Sequence, residues 1–129
     1  MKSIDLVREF HLAFGQPIAE EPNISDRQLN DLRFDLLHEE LCELLSALEF
    51  GSIEKALDAL TDLQYVLDGT YLSLGFHRYK DAALNAVHKS NMEKLGPDGK
   101  PVVRADGKIL KPMDWSPPDL AGVLKGDLK

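Results

Sequence analysis

Residues 32–48 read LRFDLLHEELCELLSAL, a leucine-rich run with the spacing of an amphipathic helix. The leucines recur at intervals of three and four residues, so they share one side of a helix. The side predicted to be buried carries Leu29, Leu32, Leu36, Leu37, Leu41, Leu44, Leu45 and Leu48. Ser25, with Gln28 three residues later, has the signature of a capping box, and Gly51 is a stop signal. We therefore predict a long helix that begins after Ser25 and ends near Phe50.

Three further helices are predicted on either side of this one. The first spans about residues 3–14 before Gly15, and another spans residues 53–74, with Ser52 as its cap. The last spans about residues 79–94. Because the connection between the second and third helices is short, these two helices are expected to be antiparallel neighbours. The prediction is an all-α fold of four main helices arranged as a bundle.

The C-terminal part of the sequence changes character. Turn signals at residues 97–99 and 105–107 flank short apolar pairs, which predicts a small hairpin. Residues 112–129 show no convincing period and are expected to form an arm over a neighbouring surface or a frayed tail. We expect one domain, with residues 1–96 as its helical part and residues 97–129 as its hairpin and arm.

Composition narrows the class of protein. The 129 residues include 43% hydrophobic and 29% charged residues, which is typical of a globular chain. The net charge of -7 opposes attraction to a phosphate backbone, so nucleic acid is not an expected partner. Cys42 is the single cysteine, which excludes an intrachain disulfide framework and a multi-cysteine zinc site. No stretch is long and apolar enough for a membrane span or a signal peptide, so we expect a cytoplasmic protein with no membrane partner.

Several acids fall on the apolar side of the second helix. At about 100° per residue, Glu40 and Glu43 project among the leucines and Glu39 lies at their edge. An ionised carboxylate in an apolar setting is costly unless it is paired or bound to a cation. On the third helix, Asp58 and Asp62 lie one turn apart and can face these acids. Oxygen ligands in this number favour a hard divalent cation, so Mg²⁺ is expected, with Mn²⁺ as a second possibility.

Two alternatives stay open for these acids. A Glu-Glu-x-x-Glu motif also occurs on solvated helices as a plain charged face. Inward carboxylates can instead form salt bridges with Lys or Arg of a partner subunit, in a non-catalytic helical oligomerisation module. A di-iron carboxylate site is disfavoured, because the sequence lacks inward Glu-x-x-His pairs on two helices.

The fourth helix offers two polar side chains that can meet a phosphate. Lys94 follows Asn91 by three residues, so the two share one side of that helix. The alternative is structural, because an Asn cap and a Lys are both common at helix C-termini.

The sequence resembles the all-alpha nucleoside triphosphate pyrophosphohydrolases, a superfamily that includes MazG-like enzymes, dimeric dUTPases and phosphoribosyl-ATP pyrophosphohydrolases. The resemblance is carried by residues 39–43 (EELCE), residues 58–65 (DALTDLQY) and residues 87–95 (VHKSNMEKL). Residues 98–101 (DGKP) and 117–120 (PPDL) look like the small bacterial and phage MazG-like dUTPase-type branch. These segments are spread over most of the chain.

The resemblance implies metal-dependent hydrolysis of a nucleoside triphosphate to the monophosphate and pyrophosphate. Glu40, Glu43 and Asp62 match metal-ligand positions, and Glu39 matches the acid that orients or deprotonates the attacking water. The family pattern has a further Glu at the position of Ala59, so Asp58 is the candidate replacement ligand. Asn91 and Lys94 are then expected to bind phosphate oxygens.

The resemblance also suggests a substrate and an assembly. Phe10, Phe14 and Gln16 match the base-side region of the branch, although the two phenylalanines can also be core residues. The leading substrate is dUTP, and phosphoribosyl-ATP is the alternative. Long apolar helix faces predict a homodimer or homotetramer, since four helices leave leucine surface uncovered.

Overall fold

A computed structural model describes residues 1–126 of the chain. The described part is helical, which confirms the all-α fold with four main helices. Its elements are α1 (Ser3–Phe14), α2 (Arg27–Phe50), α3 (Ile53–Leu74), a 3-10 turn (His77–Tyr79), α4 (Lys80–Met92) and α5 (Leu120–Leu124). None of these helices combines the length and hydropathy that a membrane span requires.

The start of α2 differs from the prediction by its cap. Asp26 is the N-cap residue, and its side chain accepts a hydrogen bond of 3.1 Å from the amide of Leu29. The prediction that Ser25 caps the helix was wrong. Its amide and hydroxyl instead donate to Oδ1 of Asn23, at 2.8 and 2.6 Å, within a local turn. Asp and Ser are equally good caps, so the choice between adjacent residues depends on this competing hydrogen bond.

The ends of α3 follow the sequence signals. Oγ of Ser52 accepts a hydrogen bond of 3.2 Å from the amide of Lys55, as a cap does. Gly75 ends the helix with a φ of 81°, in the left-handed region that favours glycine. A Cβ atom at Gly75 would lie 2.2 Å from the carbonyl oxygen of Glu21, so a larger residue would not fit.

The chain forms two compact units, Met1–Arg78 and the part that begins at Tyr79. In the first unit α3 packs against both α2 and α1. Buried apolar side chains in this unit include Val7 of α1 and both Ala59 and Leu72 of α3. The packing therefore centres on α3. The predicted division of a single domain at residue 96 stays a prediction.

The α2 and α3 helices are antiparallel, as the short connection between them predicts. Arg33, in the first part of α2, bonds Val66 and Thr70 in the second part of α3. Glu43, farther along α2, lies beside Asp62, which comes earlier in α3. The contacts thus run in opposite directions along the two helices.

Half of the leucines predicted to be buried on α2 are exposed in this chain. Leu29, Leu36, Leu37 and Leu44 are partly buried. The prediction was wrong for Leu32, Leu41, Leu45 and Leu48, which are exposed. The reason is that α2 packs mainly against α3 in this unit, and one neighbouring helix covers only part of a wide apolar stripe.

The second unit joins the C-terminal segment to α4. The helix ends at Met92, two residues before the predicted end. The predicted hairpin is reduced to an isolated bridge between Val103 and Ile109. Within residues 112–126 the sequence analysis missed α5, which packs on α4. The last part of the predicted arm, residues 127–129, lies outside the described residues.

Candidate metal centre

Three carboxylates meet between α2 and α3. Glu40 and Glu43 lie three residues apart on one face of α2, and Asp62 faces them from α3. One carboxylate oxygen from each of these residues lies within 4.8 Å of the other two. We call Glu40, Glu43 and Asp62 the acidic cluster.

No Lys or Arg side chain of the described residues neutralises the acidic cluster. Within residues 1–126 none of its carboxylates forms an ion pair with Lys or Arg. Oε2 of Glu40 is buried and has no hydrogen-bond partner in the described part of the chain. Burial raises the pKa of Glu40, and the charges of Glu43 and Asp62 raise it further. A hydrogen bond with Glu43 and the charge of Glu39 act in the same direction.

This arrangement suits a hard divalent cation. Carboxylate oxygens are the ligands that Mg²⁺ and Mn²⁺ prefer, and a bound cation would neutralise charges that otherwise repel. The buried Oε2 of Glu40 provides an acceptor with no other partner. The residues present therefore fit such an ion.

Asp58 and Ala59 differ from the other predicted ligand positions. Asp58 is exposed and is not a member of the acidic cluster. It lines a neighbouring cavity of about 320 Å³ together with Glu43 and Lys55. Ala59 is 3% exposed, so the position without a carboxylate is filled by a small buried side chain.

Glu39 stands apart from the acidic cluster and close to it. Its side chain is exposed on α2, and the cluster does not include it. Its charge nevertheless contributes to the raised pKa of Glu40, so the two carboxylates interact. An exposed carboxylate beside a cation site is free to accept a proton from water.

The residues predicted to face the base occupy one side of α1 and the loop after it. The ring of Phe10 stacks on Phe14, with centroids 4.5 Å apart, and meets Tyr65 edge to face at 5.7 Å. Both phenylalanines are exposed, so they are not core residues of this chain. Phe10 and Gln16 line a cavity of about 200 Å³, to which Arg33 also contributes, whereas Phe14 does not line it.

Two polar residues near this cavity escaped the sequence analysis. Arg33 is only 6% exposed, and it donates from Nε to Oγ1 of Thr70 (3.2 Å) and from Nη2 to the carbonyl of Val66 (2.9 Å). His11 is also buried, and its Nδ1 donates to the carbonyl of Pro17 at 3.1 Å. Burial lowers the pKa of His11, the hydrogen bond to Pro17 partly offsets this, and the charge of Arg33 lowers it further.

A signal for Arg33 was present in the sequence. It follows Leu29 by four residues and precedes Leu36 by three, so it lies within the apolar stripe. An Arg at such a position is inward-facing and needs hydrogen-bond partners.

The predicted phosphate ligands belong to the second unit. Asn91 is exposed in the last turn of α4. Nζ of Lys94, just beyond that helix, lies 5.4 Å from the ring centroid of Trp115.

Comparison with known proteins identifies the family. Residues 7–91, more than half of the chain, match the family described as phosphoribosyl-ATP pyrophosphohydrolase. This segment contains most of α1 and all of α2 and α3, and therefore the whole acidic cluster. No curated protein matches the chain. The chain therefore belongs to the phosphoribosyl-ATP pyrophosphohydrolase family of the all-alpha nucleoside triphosphate pyrophosphohydrolases, and it is a pyrophosphohydrolase that acts on phosphoanhydride bonds of a nucleotide.

Proposed function

We propose that this protein hydrolyses a deoxynucleoside triphosphate to the monophosphate and pyrophosphate, as a house-cleaning enzyme. The observation that supports this most directly is the acidic cluster, in which a buried oxygen of Glu40 lacks a partner among residues 1–126. Glu40, Glu43 and Asp62 hold Mg²⁺ in this proposal, with Mn²⁺ as a substitute. Asp58 is proposed to reach the ion through a water molecule, because it lies outside the cluster.

The chain's own residues then perform the following steps. A metal ion held by Glu40, Glu43 and Asp62 would neutralise charge on the phosphate oxygens and lower the pKa of nearby water. Glu39 accepts a proton from the attacking water, whose oxygen forms a bond to the α-phosphorus. The bond between the α-phosphorus and the bridging oxygen breaks, and pyrophosphate leaves. Asn91 and Lys94 donate hydrogen bonds to phosphate oxygens.

The leading substrate is dUTP, because the sequence resembles the dUTPase-type branch. Phe10 offers an exposed ring for stacking, and Gln16 offers an amide that can read the edge of a base. Both line the cavity of about 200 Å³ beside α1. Phe14 supports the ring of Phe10 by stacking on it.

Phosphoribosyl-ATP is the second candidate substrate. The family match favours it, since the family is described by that activity. Both substrates contain a phosphoanhydride bond, and the same metal-assisted reaction would cleave it. Only the group beyond the phosphates distinguishes them.

One assay separates these candidates. Pyrophosphate release is measured with Mg²⁺ for dUTP, dCTP, dTTP, ATP and phosphoribosyl-ATP, at equal concentrations. We expect the largest kcat/KM for dUTP. If dUTP is hydrolysed no faster than dCTP, dTTP and ATP, the dUTPase assignment is wrong. If phosphoribosyl-ATP is fastest, the second candidate is correct.

A direct metal titration tests the site. Isothermal titration of the wild-type chain with MgCl₂ is expected to show binding that is lost in a Glu40→Gln/Glu43→Gln double variant. Mg²⁺ should also raise the thermal midpoint of the wild type, because a ligand bound only to the folded state stabilises it. Indifference to millimolar Mg²⁺ would favour the non-catalytic oligomerisation module.

We also propose that the protein is a homodimer or homotetramer in the cytoplasm. Exposed apolar side chains recur at helical spacing on α2 and on α3, and a second copy can cover them. These side chains are Leu41, Leu45, Leu48, Ile53, Leu57 and Leu60. Sedimentation that shows a stable monomer at micromolar concentration would contradict the proposal.

A further inference from the structure

The segment between Lys94 and Lys111 is positively charged within an acidic protein. It contains five Lys and Arg residues against two Asp residues, while the whole chain carries a net charge of -7. One of the two acids, Asp106, is paired with Arg104 through two hydrogen bonds. The segment therefore offers few carboxylates that could pair with the lysines at its two ends, Lys94 and Lys111.

Trp115 is held firmly against the end of α4. Its indole Nε1–H donates to the carbonyl of Ser90 at 2.7 Å. Oγ of Ser90 in turn donates to the carbonyl of Ser116 at 2.9 Å, and Ser90 is itself buried. One of these hydrogen bonds comes from the indole and the other goes to the next residue, so together they fix the position of the ring against α4.

The two terminal lysines of the basic segment meet at this ring. Nζ of Lys94 lies 5.4 Å from the ring centroid of Trp115, and Nζ of Lys111 lies 4.7 Å from it. Neither ammonium group forms an ion pair with a carboxylate of residues 1–126. The ring attracts each cation, but the two like charges still repel each other. An anion with several oxygens can accept hydrogen bonds from both lysines and remove that repulsion.

We propose that Lys111, together with Lys94 and Trp115, forms a binding site within the second unit for the polyphosphate group of a nucleotide. This inference rests on the proposed function, because it assumes a nucleotide that carries several linked phosphates. Lys111 is the new ligand, and Trp115 positions both ammonium groups through its face. The site favours a chain of phosphates over a single small anion, since two ammonium groups can donate to more than one anionic group.

The test uses the intrinsic fluorescence of the full-length protein. Trp115 is the single tryptophan of the chain, so its emission reports on this site directly. Inorganic tripolyphosphate is titrated in the presence of EDTA, so that the acidic cluster takes no part through a metal. We expect a saturable change in emission, and we expect Lys111→Gln to raise the half-saturation concentration by about tenfold, as the loss of one charge-assisted hydrogen bond predicts.

The control variant is Lys108→Gln. It removes the same charge from the same basic segment, but within residues 1–126 Lys108 has no cation–π contact with Trp115. Its half-saturation concentration should stay within about twofold of wild type. The reason is that salt screens the attraction between the anion and a lysine that does not contact it. Circular dichroism and the thermal midpoint establish that both variants are folded.

Three outcomes would overturn the binding site. These are no saturable change at millimolar tripolyphosphate, equal effects of Lys111→Gln and Lys108→Gln, and an equal response to sulfate at matched ionic strength. The proposed function fails separately, because it is measured as pyrophosphate release with Mg²⁺. A chain that releases no pyrophosphate but shows the Lys111 effect has the binding site without the activity, whereas the reverse result removes only the binding site.

Discussion

The α2 and α3 helices hold two polar clusters of opposite character. Toward one end, Arg33 is buried and bonded to Thr70 and to the carbonyl of Val66. Toward the other end, Glu40 has a buried oxygen with no partner among the described residues, beside two more carboxylates. Both clusters lie between the same pair of helices, so the fold alone does not explain the difference.

The difference indicates what each cluster contributes. A buried cation with satisfied hydrogen bonds holds helices in register. A group of unpaired like charges destabilises the chain until a cation neutralises it. The Arg33 end is therefore expected to serve stability, and the acidic end to serve binding and catalysis. The following changes separate these two roles.

The largest expected effect concerns catalysis at the acidic end. Glu39→Gln should lower turnover by about two to four orders of magnitude, because the proposed general base is lost. Metal affinity should stay close to wild type, since Glu39 lies outside the acidic cluster. Steady-state kinetics and metal titration of the same preparation provide the two measurements. An equal loss of Mg²⁺ affinity would instead make Glu39 a metal ligand.

The next effect concerns stability at the Arg33 end. Arg33→Met keeps much of the side-chain volume but removes the donors to Thr70 and Val66. We expect the free energy of unfolding to fall by about 1–3 kcal/mol, the usual consequence of a lost buried hydrogen-bond network. Urea unfolding measures this change. Arg27→Met is the matched control, because Arg27 is exposed at the start of α2 and should have little effect.

A smaller effect of opposite sign is expected at Glu40. In EDTA at neutral pH, Glu40→Gln should raise the free energy of unfolding by about 1 kcal/mol or less, because like charges are removed at a partly exposed site. Glu40 has an ordinary pKa of 4.5, and its pKa is raised in the folded chain by burial and neighbouring acids. Below pH 4.5 the group is protonated in both states and the wild type carries no penalty.

The pH dependence of this effect has a definite direction. As the pH rises above 4.5, the unfolded chain loses the Glu40 proton first, so the wild type loses stability until the raised pKa is passed. Glu40→Gln should remove that loss. Thermal melts across this pH range, with and without Mg²⁺, provide the measurement. A variant that is less stable than wild type in EDTA would contradict the unpaired-charge interpretation.

The smallest expected effect concerns His11, which belongs with Arg33 to the end that is expected to serve stability. Its pKa is lowered from 6.5, chiefly by burial. Above pH 6.5 the ring is neutral in both states, and below it the unfolded chain gains a proton first. Stability that depends on neutral His11 is therefore lost as the pH falls from 6.5 through the lowered pKa. His11→Gln should flatten this part of the stability profile, and an unchanged slope would show that His11 is not responsible.

Gly69 lies inside α3, and only residues of other helices explain why a glycine stands there. A glycine inside α3 weakens a helix by about 1 kcal/mol relative to Ala, and the sequence offers no compensation. In the structure, a Cβ atom at this position would lie 2.5 Å from Nη2 of Arg33 and 2.9 Å from Nε2 of His11. The glycine leaves space for two buried polar groups from two other helices. No pattern within α3 could reveal that need.

The sequence by itself determined the helices and the type of site. Apolar periodicity, Ser52 and the glycines at helix ends act within a few residues, so they locate α1, α2 and α3 without knowledge of the fold. The inward spacing of Glu40 and Glu43 depends on the same local geometry. These features needed no tertiary contact to be recognised.

Only the tertiary structure decided which of these residues meet. It joined Asp62 rather than Asp58 to the acidic cluster, buried Arg33, and left Leu41 and Leu45 of the predicted core exposed. It also placed Trp115 on Ser90, across 25 residues of chain. Burial and contact between distant residues depend on the position and rotation of neighbouring helices, and a repeating pattern within one helix carries no information about its neighbours.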